Sequence, residues 1–104
     1  MPDKFQISVL LDNYGVLLNE KQRHIMEYYF NDDLSLAEIA ENEGITRQGV
    51  LDIIKRSKQT LIDYEEKLKL IKKIDFLKKK LKSVDKEIKA DANMKEIVEF
   101  IENM

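Results

Sequence analysis

The chain has 104 residues, of which 43% are hydrophobic and 37% charged, and its formal net charge is −2 at pH 7. This length suits one small domain with an appended arm. The absence of cysteine excludes disulfide bonds and thiolate metal sites. Three glycines, one proline and no alternating run of strand-forming residues favour an all-α protein.

The first predicted element covers residues 5–18, which are apolar in part. Gln6, Asp12 and Asn13 interrupt this stretch, and that pattern indicates an amphipathic helix and not a signal peptide. No apolar run in the sequence approaches the roughly 18 residues that cross a membrane. We therefore expect a cytoplasmic protein without membrane insertion.

A second helix is predicted within residues 17–30. Asn19 is a suitable N-cap, and Gln22 three residues later completes a capping box. An acidic turn at residues 31–33 then leads to Ser35. The predicted apolar face of this helix consists of Ile25, Met26, Tyr29 and Phe30.

Residues 35–56 predict two short helices joined by a tight turn, the layout of a DNA-reading helix-turn-helix. Ser35 and Glu38 form a capping box for the first helix, whose Ile39 and Ala40 face the second. Gly44 marks its end, because glycine adopts the left-handed conformation without strain. Thr46 is the N-cap of the second helix. The inner stripe of that helix is predicted to be Val50, Ile53, Ile54, Ser57 and Leu61.

Charge is segregated along the chain. Residues 1–45 carry 3 basic and 9 acidic side chains, residues 46–89 carry 14 and 7, and residues 90–104 carry 1 and 4. The basic block begins at the second helix of the motif, and a local patch can attract a polyanion despite a negative net charge. We expect weak, strongly salt-dependent binding of nucleic acid.

The candidate nucleic-acid-binding residues lie at the start of the second helix of the motif. Arg47 and Gln48 are placed to reach base edges, since arginine pairs with guanine and glutamine with adenine. Thr46 is a candidate phosphate contact as well as a cap, and Gly49 would allow close approach of the backbone. Candidate phosphate contacts further along are Lys55, Arg56 and Lys58. The alternative is an ordinary helical hairpin whose solvated face binds nothing.

Catalysis has little support in the sequence. It contains no glycine-rich phosphate loop, no paired nucleophile and base, and no cluster of metal ligands. The single histidine, His24, is predicted to lie on the exposed side of its helix. We expect neither an enzyme nor a cofactor or metal.

The C-terminal arm, residues 67–104, has a different pattern from the domain at residues 1–66. Its apolar positions step by 4, 3, 4, 3 and 4 residues, a period of 3.5 that is typical of packed helices: Leu70, Ile74, Leu77, Leu81, Val84 and Ile88. Residues 91–93 interrupt this helix, and Asn93 with Glu96 predicts a capping box for a last amphipathic helix.

Two arrangements of the arm are open. In the first, residues 94–104 fold back on residues 70–88, and lysines pair with Glu96, Glu99 and Glu102. In the second, the apolar positions form a seam between two chains. We favour a homodimer, because a helix this short is marginal alone in water and its seam must pack on something. The many lysines are either a solvated face or a track for phosphates.

Residues 17–61 resemble the fourth region of bacterial sigma factors. The matching positions are Leu18, Gln22, Arg23, Phe30, Leu34, Ser35, Glu38, Ile39, Ala40, Gly44, Ile45 and Val50. The stretches 12–23, 46–50 and 63–68 also resemble the YlxM (p13-like) family of small bacterial proteins. That resemblance implies helix-turn-helix DNA binding, no established catalytic residues, and a role in the signal recognition particle pathway, inferred from neighbouring genes.

The prediction is an all-α protein in which a sigma-factor-region-four-like helix-turn-helix domain carries a C-terminal amphipathic helical arm. Three functions follow from it. The first is a regulator that binds duplex DNA as a homodimer. The second is an accessory protein that binds signal recognition particle RNA or its GTPase. The third is a protein-interaction module without nucleic-acid binding, favoured by the net acidity and by Leu51, predicted to face outward.

Overall fold

A computed structural model describes residues 2–104, and every regular element in that range is helical. The α-helices are α1 (Lys4–Tyr14), α2 (Glu20–Phe30), α3 (Leu36–Glu43), α4 (Arg47–Leu68), α5 (Leu70–Lys82), α6 (Lys86–Ala90) and α7 (Ala92–Glu102). The predicted all-α class is confirmed. The chain forms two compact units, an N-terminal unit that ends at Leu68 and a C-terminal unit, Lys69–Met104. Between residues 2 and 104, no helix is both long and apolar enough to span a bilayer.

α1 is shorter than the amphipathic helix predicted over residues 5–18. It ends at Tyr14, and a 3₁₀ turn, Gly15–Leu17, follows. The tighter turn brings the backbone of Gly15 close to Leu11, where a Cβ atom on Gly15 would lie 3.1 Å from Leu11 Cδ1. It also leaves Val16 and Leu17 exposed, so these two apolar residues do not continue the buried face of α1.

α2 has the predicted N-terminus. The Asn19 side chain accepts a hydrogen bond from the Gln22 backbone N–H at 2.8 Å, and Gln22 accepts one from Asn19 in return. The predicted apolar face is buried at Ile25, Met26 and Phe30, whereas Tyr29 is half-buried.

α3 and α4 form the predicted helix-turn-helix. Ser35 and Glu38 make the reciprocal capping box at 3.1 Å in both directions. Gly44 ends α3 in the left-handed conformation, with φ 67° and ψ 33°, and its N–H donates to the carbonyls of Ala40 and Glu41. Thr46 Oγ1 then accepts a hydrogen bond from the Gly49 N–H at 3.0 Å and caps α4.

α4 is the central element of the N-terminal unit, because α1, α2 and α3 all pack against it. Its buried stripe contains Val50, Ile54, Ser57 and Leu61, as predicted, while Ile53 is half-buried. Near the C-terminal end of α4, the buried Tyr14 donates a hydrogen bond to Glu65 Oε1 at 2.6 Å. The Tyr14 ring also stacks on Tyr64, with 6.0 Å between ring centroids.

The C-terminal unit corrects two predictions about the helices of the arm. α5 ends at Lys82, so the apolar seam does not continue in one helix to Ile88, which lies exposed on α6. The N-cap of α7 is Asp91 and not Asn93. The Asp91 carboxylate accepts from the backbone N–H groups of Asn93 and Met94, which places Asn93 inside the helix.

Within the C-terminal unit, α7 packs on both α5 and α6. Lys78 Nζ donates to the backbone carbonyl of Met104 at 2.9 Å. The ion pairs of Glu96, Glu99 and Glu102 that belonged to the first arrangement of the arm do not form, because across residues 2–104 none of the three carboxylates takes part in one. Lys79 instead pairs with Asp75, one turn earlier on its own helix, at 2.9 Å. The homodimer stays a prediction.

Replacement of Gly44 tests the turn between α3 and α4. No atom lies within 4 Å of a Cβ built there, so a substitution meets backbone strain and no clash. We expect Gly44→Ala to lower the free energy of unfolding by about 1–2 kcal/mol, measured by urea denaturation. Gly44→Asn is the matched control and should lose less, because asparagine tolerates this conformation. Equal losses for both variants would contradict this explanation.

Ser57 is fully buried on the inner stripe of α4, and its hydroxyl has no hydrogen-bond partner among the described residues. A buried polar group without a partner destabilises the folded state, and alanine is the better helix former. We expect Ser57→Ala to raise the free energy of unfolding by about 1 kcal/mol in urea denaturation. A clear loss of stability would mean that the hydroxyl makes a stabilising contact.

Candidate nucleic-acid interface

The turn fixes where α4 begins and which of its faces is left exposed. α4 starts at Arg47, immediately after its Thr46 cap, and its inner stripe is covered by the other three helices of the unit. At about 100° per residue, the stripe opposite to Val50 and Leu61 carries Gln48, Asp52 and Lys55. These three side chains form the outward stripe of α4, whereas Arg47 is exposed at the N-terminal end of the helix and off this stripe.

The structure places all seven candidate residues on α4 or its cap, within about 18 Å along the helix axis at 1.5 Å per residue. Thr46, Arg47, Gln48, Lys55 and Arg56 are exposed, whereas Gly49 and Lys58 are half-buried. Five of the seven are therefore accessible at the surface, and Lys58 lies on the flank of the helix nearer the core.

Gly49 has an intramolecular role that the sequence analysis did not give it. A Cβ atom at this position would lie 3.2 Å from Thr46 Oγ1, the oxygen that caps α4. That distance is tight, so glycine leaves the cap undisturbed. Thr46 is likewise committed to its cap bond, although its hydroxyl still has a proton to donate.

Asp52 is the residue of this surface that the sequence analysis missed. Gln48 Nε2 donates a hydrogen bond to Asp52 Oδ1 at 2.9 Å, and Arg56 Nε donates to the Asp52 carbonyl at 3.4 Å. A carboxylate thus lies in the middle of the candidate surface and holds the Gln48 amide. The signal was present in the sequence, since residues at i and i+4 on a helix are neighbours. The pattern recurs about three turns later, where Gln59 bonds Asp63 at 2.9 Å.

Two further residues differ from the predictions made for them. Leu51 is half-buried and does not face fully outward, which weakens the interpretation of α4 as an apolar docking surface. His24 is half-buried as well, and not on an exposed side. In the part of the chain that the structure describes, no group of three or more potential metal ligands comes together.

The comparisons with known proteins agree with this geometry. Residues 1–102 match the UPF0122 family, described as "Putative helix-turn-helix protein, YlxM / p13 like". A UPF0122 protein from Clostridium perfringens strain 13 is 46% identical over 103 residues, which covers 95% of this chain and 92% of the relative. One from Clostridium kluyveri is 43% identical over 104 residues, covering 100% of this chain and 82% of the relative. The chain therefore belongs to the UPF0122 family of YlxM/p13-like helix-turn-helix proteins.

Proposed function

We propose that this protein is a regulatory DNA-binding protein that uses α4 as the recognition helix of its helix-turn-helix. The observation that carries the proposal is the exposed N-terminal end of α4, where Arg47 and Gln48 lie at the surface while the inner stripe of the helix is buried. In helix-turn-helix proteins the N-terminal residues of the second helix contact base edges in the major groove. Arg47 would pair with guanine, and Lys55 and Arg56 would contact phosphates.

Local charge supports contact with a polyanion at α4 and not elsewhere on the N-terminal unit. Residues 47–58 carry four basic side chains against one carboxylate, Asp52. The helix that precedes them carries Glu38 and Glu41, both exposed, and Glu43, half-buried. Because a few phosphate contacts supply most of the attraction, binding should be weak and should fall steeply as salt rises.

The Gln48–Asp52 hydrogen bond limits how well Gln48 can recognise a DNA base. While its amide bonds Asp52, Gln48 has fewer groups left for the bidentate contact that identifies adenine. Asp52 in turn can accept a hydrogen bond from the cytosine amino group. We propose that Arg47 makes the main base contact and that sequence preference is modest. A homodimer would place two α4 helices on successive turns of the duplex, the arrangement that suits two-fold sites.

A second candidate is a cytoplasmic accessory protein of the signal recognition particle that binds the RNA or the GTPase of the particle. The resemblance to the YlxM family suggests this pathway, and the carboxylate of Asp52 on the outer stripe favours a partner other than duplex DNA. The major groove of A-form RNA is too narrow for a helix to read. In this case α4 would contact phosphates or loops of the RNA, and loss of the Gln48 amide would change the affinity for RNA little.

Alanine substitutions in α4 distinguish these candidates. We expect Arg47→Ala to weaken binding of duplex DNA about tenfold and Gln48→Ala to weaken it less, measured by fluorescence anisotropy at low salt. The matched control is Lys21→Ala, which removes one exposed positive charge from α2. If Arg47→Ala and Lys21→Ala have the same effect, α4 does not read bases.

The same titrations are repeated with signal recognition particle RNA and an unrelated structured RNA. Selective retention of the particle RNA at about 150 mM salt would support the accessory-protein candidate, since non-specific phosphate binding is largely lost there. Absence of binding to all three nucleic acids would overturn DNA binding and RNA binding and leave a protein partner, such as the GTPase of the particle.

Substitution of Asp52 tests the electrostatics of the surface. Asp52→Asn removes the charge but keeps an acceptor for Gln48, whereas Asp52→Ala also releases the Gln48 amide. We expect both variants to bind random duplex DNA several-fold more tightly at low salt, because a like charge near the phosphates is lost. Unchanged affinity in both variants would place the phosphates away from this face of α4.

A further inference from the structure

The C-terminal unit has an exposed aromatic side chain surrounded by lysines. Phe76 on α5 is 59% exposed, and Lys80 Nζ lies 5.7 Å from the centre of its ring. Lys69, Lys72, Lys73 and Leu77 line an open groove with Phe76. We call this surface the Lys–Phe face and define it by its exposed members: Lys69, Lys72, Lys73, Phe76 and Lys80.

The Lys–Phe face is strongly positive. From Lys72 to Lys80, its side chains fall within about 100° of the circumference of α5, at about 100° per residue. The one carboxylate of α5, Asp75, lies beside this sector and is paired with Lys79 at 2.9 Å. The four lysines of the face outnumber this carboxylate, so the face attracts a polyanion.

The exposed ring of Phe76 indicates which class of polyanion this surface binds. A basic groove with an aromatic side chain is how proteins hold single-stranded nucleic acid, because lysines track the phosphates and bases stack on the ring. In a duplex the bases stack on each other, so no base is available to stack on the ring of Phe76. A membrane surface requires a broad apolar face opposite the basic one, whereas this groove offers only Phe76 and the half-exposed Leu77.

We propose that the Lys–Phe face of α5 binds unpaired nucleic acid, with Phe76 stacking on a base and the surrounding lysines contacting phosphates. The residues of this site belong to the C-terminal unit, whereas those of α4 belong to the other compact unit. The inference therefore does not depend on duplex binding by the helix-turn-helix. It gives the lysines of the arm a role as a phosphate track for single strands.

The chain has no tryptophan, so a Phe76→Trp variant carries a single indole at the proposed stacking position. Titration of this full-length variant with oligothymidylate should quench its fluorescence to saturation. Phe100→Trp is the matched control, because Phe100 is 73% exposed in the same unit but lies beside Glu96 and Glu99 on α7. The control should show no saturable quenching.

Anisotropy measures the contribution of stacking directly. We expect Phe76→Leu to bind fluorescein-labelled oligothymidylate about tenfold more weakly than the unmodified chain. Phe100→Leu should bind it as the unmodified chain does. Far-ultraviolet circular dichroism shows whether the variants keep their helices, which exposed positions should allow.

Three results would overturn the inference. Equal quenching of Phe76→Trp and Phe100→Trp would mean non-specific association. Unchanged oligothymidylate affinity in Phe76→Leu would exclude stacking on this ring. A blue shift of Phe76→Trp with phosphatidylglycerol vesicles, without quenching by oligothymidylate, would assign the face to an anionic membrane surface. Loss of duplex binding in Arg47→Ala bears only on α4 and leaves this inference standing.

Discussion

The N-terminal unit depends on the burial of one stripe of α4. Three helices, α1, α2 and α3, cover that stripe, where Val50 and Leu61 are fully buried. Burial of one face of an amphipathic helix leaves the opposite face at the surface. The left-handed turn at Gly44 and the Thr46 cap then set the point where α4 begins. Packing therefore decides which side chains α4 can offer to a partner.

The charge distribution determines which surface of each unit can contact nucleic acid. In the N-terminal unit, α3 is acidic and α1 and α2 have no net charge, which leaves α4 as the basic helix, and Asp52 reduces even that local charge. In the C-terminal unit, α5 combines lysines with the exposed ring of Phe76. A protein of net charge −2 can therefore contact nucleic acid through local basic surfaces. Here these surfaces are α4, which attracts phosphates weakly, and the Lys–Phe face.

Sequence reasoning succeeded where local chemistry decides the structure. Caps at Asn19, Ser35 and Thr46 and the turn at Gly44 depend on residues within a few positions of each other, and all are confirmed. It failed at the arm, because a heptad pattern does not reveal that the helix ends at Lys82. For the candidate site, the sequence pattern predicted α4 as the binding helix. The hydrogen bond from Gln48 to Asp52 becomes evident only when neighbouring side chains on the same face of the helix are compared.

The most direct test of the central claim is a nuclear magnetic resonance titration of the ¹⁵N-labelled protein with a short DNA duplex at low salt. If α4 is the recognition helix, the largest amide shifts will fall within residues 46–58, at the cap and first turns of α4. Small, scattered shifts would be expected on α2 and on the acidic helix α3. Shifts confined to residues outside α4, or none at all, would contradict a helix-turn-helix that binds duplex DNA.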